Sequence, residues 1–244
     1  MADTQFIHAL IAQMRDRRMS IADSPVVELV RRGELAREDL LRWALQFSPL
    51  IDAIPKVMKA IHDRAAPDAR GFLKEVVDEE ASGDQSRTKS HPELFLDFVE
   101  VLGYPPDLVR RAEPPKEVAD YLAFRWGAIE TLPWYMSLVP NVMGEGEIPR
   151  AYRPMIEGFQ RHYGLTRDEI LFFTVHEEVD QHHFSAVVRL LAAHAVTAED
   201  RREVARLFWT TADLFRRVWD SYPNVRIPFE ILAPRGGEGR GEGG

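Results

Sequence analysis

The chain has 244 residues, no cysteine and a formal net charge of −8. The lack of cysteine excludes disulfides, thiolate metal sites and cysteine nucleophiles together, and it fits a cytoplasmic protein. Acids and bases are interspersed, so there is no basic footprint for nucleic acid, and no apolar run approaches the ~20 residues of a membrane span.

The start of the chain, MADTQFIHALIAQMRDRR, lacks the basic opening and long apolar core of a signal peptide and reads as a short amphipathic helix. Ser24 and Pro25 are fitted to cap and open a second helix ending near Arg32. Residues 37–64 form a long apolar-faced helix that Pro49 and Pro55 are expected to kink or divide. A helix over 67–81 follows, then the polar loop SGDQSRTKS. His91-Pro opens the next helix, and a short one covers 105–112. From Pro115 a long segment is interrupted by Pro133 and Pro140, and GEGEIPR reads as a turn or loosened helix end. Helices over 151–163, 166–195 and 197–222 complete the chain. No β pattern is evident. The expectation is an all-α bundle of seven to nine helices forming a single domain over 1–232, with a disordered glycine-rich tail over 233–244.

The most informative helix is 166–195. At about 100° per residue, Phe172, Phe173, Val175, Val179, Val187, Leu190 and Leu191 share an apolar face. His176, Asp180 and His183 fall in the middle of it, while Glu177, Glu178 and His182 fall on the wet side. Burying three ionisable groups without partners is costly. A metal accounts for them, because imidazole and carboxylate at spacings of four and three share one side of a helix and ligate first-row metals. A hydrogen-bonded His-Asp-His cluster without metal is the alternative.

Further ligands must come from elsewhere. The run Asp78-Glu79-Glu80 ends the helix over 67–81, and periodicity puts Glu80 nearest its buried side with Glu79 at the margin. His91 precedes the apolar stripe Leu94, Phe95 and Phe98. Glu145 and Glu147 flank Gly146.

The stretches RRGELAREDLLRWA, PKVMKAIHDR, VVDEEASG with HPELFLDFVEVLG, EGEIPR and FFTVHEEVDQHH together resemble the haem-oxygenase-like di-iron oxidases and oxygenases. This group includes the chlamydial protein associating with death domains, and its wider relatives are the pyrroloquinoline quinone synthase and TenA-type proteins. The resemblance covers about residues 33–195 and implies a haem-oxygenase-like bundle. It also implies a two-iron site (manganese or a mixed pair is the variant) held by Glu79, His91, Glu145, His176, Asp180 and His183. It thus prefers Glu79 where periodicity prefers Glu80, and Glu147 stays as the alternative to Glu145. In the chlamydial member, a tyrosine and a lysine of the chain itself take part in making p-aminobenzoate. The matching positions here are Val26 (or nearby) and Met155, so the resemblance does not carry that chemistry.

The resemblance further implies a homodimer, dioxygen, an electron donor and a small organic substrate, amine- or amino-acid-like. Trp126, Trp134, Tyr135 and Phe173 are candidate pocket residues, and Arg150 and Arg153 are candidates for a substrate carboxylate. Two other readings stand beside it. One is a metal-free oxidase of the pyrroloquinoline quinone synthase kind, using buried histidines as acids and bases. The other is a non-catalytic helical binding protein. A TenA-like thiamin-degrading activity is disfavoured, because it needs a cysteine nucleophile.

Overall fold

The computed structural model describes residues 4–109 and 114–225, with the side chains at 107, 108 and 178–182 outside that description. Among the described residues there are ten α-helices and no strand. They are α1 (Gln5–Asp16), α2 (Pro25–Arg32), α3 (Arg37–Arg64), α4 (Pro67–Ser82), α5 (His91–Val101), α6 (Pro106–Val109), α7 (Lys116–Thr131), α8 (Val139–His162), α9 (Leu171–His194) and α10 (Ala198–Asp220). The tail expected over 233–244 lies outside the described residues.

Local signals explain most boundaries. Pro25 opens α2 and Gly33, in the left-handed region, closes it, as the asymmetry of helix ends requires. Thr197 caps α10 through a reciprocal pair with Asp200. Pro49 and Pro55 do not divide their helix. Pro49 and Pro55 lie inside one uninterrupted α3, and Pro149 and Pro154 lie inside α8. The stretch GEGEIPR is therefore not a turn but the middle of a 24-residue helix. Packing of α8 along α9, α2 and α10 overrides the weak propensity of its glycines and prolines. The N-terminal turn of the helix expected over 166–195 is a separate 3-10 turn, Asp168–Ile170, before α9 begins at Leu171.

The core is aromatic. Trp43 and Phe47 of α3, Phe95 and Phe98 of α5, Tyr152 and Phe159 of α8, Phe172 and Phe173 of α9 and Trp219 of α10 are all buried. Phe173 meets Phe98 and Tyr152 edge-on at 4.8 Å each, a favoured geometry for ring quadrupoles. This wall of rings fixes one turn of α9 against α5 and α8. His176, one turn beyond Phe172, is thereby carried into the interior.

Candidate metal centre

Helix α4 ends at Gly83, whose φ of +65° suits glycine and where a Cβ would collide with the Lys89 carbonyl oxygen. The loop over 83–90 can then fold back on the helix end. Its amides at Gln85 and Ser86 donate to Glu79 Oε2 at 2.7 and 3.0 Å. Ser90 caps α5 in a reciprocal pair with Glu93, and this cap sets the first residue of α5, His91, facing inward and 2 % exposed. His91 Nε2–H donates to Glu79 Oε1 at 3.3 Å. Burial pushes the Glu79 carboxyl up, but His91 and the Ser86 and Gln85 donors more than reverse this and hold it at about 2.

With Nε2 occupied, the other ring nitrogen of His91 faces Glu80. Nδ1 lies 2.9 Å from Glu80 Oε2, an ion pair whose angle falls short of a regular hydrogen bond. His176 stands beside it, the two ring centroids 4.3 Å apart. His176 Nδ1–H donates to the Phe172 carbonyl oxygen at 2.7 Å. That bond fixes the tautomer and leaves the Nε2 lone pair for a ligand. Glu80, His91 and His176 each present a ligand atom within 4.8 Å of the others.

His183 is two turns further along α9 and 3 % exposed, with Nδ1 3.6 Å from Glu145 Oε2. Glu145 reaches it from α8 because the two helices lie close. A Cβ on the adjoining Gly146 would come within 2.8 Å of the Phe184 ring. Glu147 points elsewhere. It accepts from Arg15 Nη2 at 2.6 Å and Arg150 Nη1 at 2.7 Å, and also from Ser20 Oγ.

The electrostatics of the cluster ask for a cation. Burial pushes the His91 imidazolium down, yet Glu80 and Glu79 overcome burial and raise it to about 10. Burial and the neighbouring His91 charge drive His176 down to about 3, against the pull of Glu80 and Glu79. Burial lowers His183, while Glu145, Glu80 and Glu79 outweigh it and raise it. Burial raises Glu80, but the charges of His91, His176 and His183 bring it down. Carboxylates thus surround the imidazoles, and Glu80, His91 and His176 turn ligand atoms toward one another. A metal ion satisfies both without a proton, and the mixed oxygen and imidazole donors suit iron or manganese. The residues fit the group.

A cavity adjoins the cluster. Glu80, His91, Glu145, His176 and Tyr152 are on its wall, with Phe47, Ile51, Tyr121, Arg125, Asn141 and Phe215 among the rest. Trp126, Trp134, Tyr135 and Phe173 are not on that wall. Trp134 and Tyr135 instead pack on His194, and Phe173 belongs to the ring core. Arg150 pairs with Glu147 and Arg153 with Glu177.

Of the six residues singled out in the sequence, the structure brings His91 and His176 together and sets Glu145 against His183. Glu79 meets His91 through the nitrogen that points away from Glu80. Asp180 lies within α9, but its side chain is outside the described residues. Glu80, which periodicity favoured, is the carboxylate of the cluster. Arg125 was not singled out. Its only sequence signal is a cation in the aromatic-rich stretch of Tyr121, Leu122, Phe124 and Trp126.

The chain matches the family of iron-containing redox enzymes over residues 41–216. It is 31 % identical over 156 residues to the 4-aminobenzoate synthase of Chlamydia trachomatis, a match covering 62 % of this chain and 65 % of that protein, just under two thirds. The 4-aminobenzoate synthase of Chlamydia muridarum is 26 % identical over 219 residues, covering 86 % and 89 %. A solved Shewanella denitrificans domain of unknown function with a haem-oxygenase-like fold superposes with a TM-score of 0.76. It is 18 % identical, with 92 % of this chain and 93 % of that one covered. A TenA homologue from P. horikoshii gives a TM-score of 0.74 at 12 % identity, covering 91 % and 99 %. The chain belongs to the family of iron-containing redox enzymes, and its all-α fold is haem-oxygenase-like. It is an oxidoreductase.

Proposed function

We propose that the chain is a non-haem di-iron oxidase or oxygenase that uses dioxygen to oxidise a small organic molecule, with electrons from an external donor. What carries the reading is the convergence of Glu80, His91 and His176, whose ligand atoms lie within 4.8 Å of one another.

Glu80, His91 and His176 would hold one ion, and Glu145 and His183 would serve the second, with Asp180 assigned from its spacing in the sequence. Glu79 orients His91 rather than binding metal, the usual role of a carboxylate behind a ligating histidine. Iron held by such a set would supply the electrons for reduction of dioxygen. The protein's own part is to position and to exclude water. The Phe172 carbonyl holds His176, the loop over 83–90 holds Glu79 and through it His91, and the aromatic wall keeps solvent from the reacting groups.

The relatives named 4-aminobenzoate synthase suggest a substrate in the amine- or amino-acid-like class. Val26 and Met155 are both fully buried apolar side chains, so the chain offers neither a tyrosine nor a lysine there to be consumed. A separate substrate is therefore proposed. The test is dioxygen uptake after anaerobic loading with ferrous salt. The loaded chain is expected to consume dioxygen faster than the same ferrous salt in buffer, and His176→Ala is expected to lose that excess. A fully loaded chain that takes up no more dioxygen than buffer would sink the reading.

A further inference from the structure

We infer that Arg125 is the anchor for a carboxylate on the substrate, an inference that deepens the oxidase reading and rests on it for the word substrate. Arg125 projects from α7 into the protein and is 4 % exposed. It sits on the wall of the cavity that also presents Glu80, His91, Glu145 and His176.

What surrounds the guanidinium is neutral. Nη2 donates to Asn141 Oδ1 at 2.8 Å, the group lies 6.0 Å from the centre of the Tyr121 ring, and the buried Nε makes no hydrogen bond. Among the described residues no carboxylate lies within ion-pair distance of it. By contrast, Arg15 and Arg150, which also reach toward the interior, share the buried acid Glu147. A guanidinium has five N–H donors, and a buried cation without a counter-charge is costly. Among the described residues Arg125 therefore has charge that no carboxylate answers, on the wall of a cavity beside the candidate centre.

Asn141 prepares the group. Its Nδ2 donates to the Met58 thioether at 3.1 Å, so its carbonyl oxygen is turned to Arg125 and holds one edge of the fork. Asn141 is a positioning residue.

The chemistry of the ligand follows from charge and shape. One uncompensated positive charge balances a monoanion. A phosphate dianion would bring a second negative charge into a cavity that already holds Glu80 and Glu145. A planar carboxylate matches the guanidinium fork. The remaining wall around Arg125, with Phe47, Ile51 and Phe215, suits a hydrocarbon or aryl body. The ligand is thus an organic monocarboxylate whose apolar part packs on those side chains while its acid group pairs with Arg125.

The test is calorimetric titration of the full-length chain, iron-loaded under argon, with 3-phenylpropionate and octanoate and with their neutral primary amides. The acids are expected to bind and the amides to bind far more weakly. Arg125→Gln is expected to weaken the acids by about 10- to 100-fold, with iron content unchanged, and Arg125→Lys to give an intermediate loss because it keeps charge without the fork. The lysine variant also serves if the glutamine variant does not fold.

Equal binding of acids and amides, equal binding of acids by wild type and variants, or no binding of either acid at millimolar concentration would each overturn the inference. Repeating the titration on metal-free chain separates the two readings. Acid binding that depends on Arg125 there stands whatever the iron count, and a full iron count with Arg125-independent binding removes this inference alone.

Discussion

Glu145 and Glu147 stand two residues apart on α8 and face opposite ways. Two positions on an α-helix are about 200° of rotation, and the two carboxylates have gone to different partners. Glu145 lies 3.6 Å from the buried His183. Glu147 is clamped by Arg15 and Arg150. One therefore serves the candidate centre and the other ties α1 to the bundle.

This division predicts a double dissociation. Glu147→Ala is expected to lower stability by about 2–4 kcal/mol, less than the ~3–5 kcal/mol of a wholly buried pair because both arginines are partly exposed to screening solvent. Its iron content is expected to stay at the wild-type level. Glu145→Ala is expected to lose iron while unfolding near the wild-type denaturant midpoint. Urea denaturation and elemental analysis of the same preparations check both. The reverse pattern would transfer the ligand role to Glu147.

The neighbouring acids Glu79 and Glu80 separate in a similar way. Glu80→Ala removes a proposed ligand and is expected to abolish tight binding of one ion. Glu79→Ala leaves the ligands in place but frees the His91 ring, and the loss of such a supporting carboxylate is expected to weaken iron binding by about 10–100-fold. Competitive titration with a ferrous chelator ranks the two variants. Weaker binding in Glu79→Ala than in Glu80→Ala would exchange their roles.

Gly146 offers a test whose sign is at stake. Helix propensity alone predicts that Gly146→Ala stabilises α8 by about 1 kcal/mol. The Phe184 ring, 2.8 Å from where the Cβ would stand, predicts overpacking and a net loss of about 1–3 kcal/mol. The unfolding midpoint is expected to fall. A rise would mean that α8 and α9 separate easily at the very turn that carries Glu145.

Much of this arrangement is legible in the sequence. The 3.6-residue rhythm of α3 and α9 predicts their buried faces, and the inward His176 and His183 follow from that rhythm alone. Periodicity also selects Glu80 from its acidic run. What local reading misses depends on tertiary packing. GEGEIPR carries two glycines and a proline and reads as a break, but packing of α8 against its neighbours keeps it helical, and only a continuous helix sends Glu145 and Glu147 apart. The role of Glu79 depends on how the loop over 83–90 folds back, which no spacing encodes. Arg125 is invisible for another reason. A single arginine on an amphipathic helix is ordinarily solvated, and only its burial, with no carboxylate in ion-pair reach among the described residues, distinguishes it.

The most direct test of the central claim is iron per chain after anaerobic reconstitution with ferrous salt and removal of unbound metal. The proposed centre predicts close to two irons per wild-type chain, with fewer in a folded His176→Ala variant. A wild-type chain that retains none, or a folded His176→Ala chain that retains as much as wild type, would contradict it.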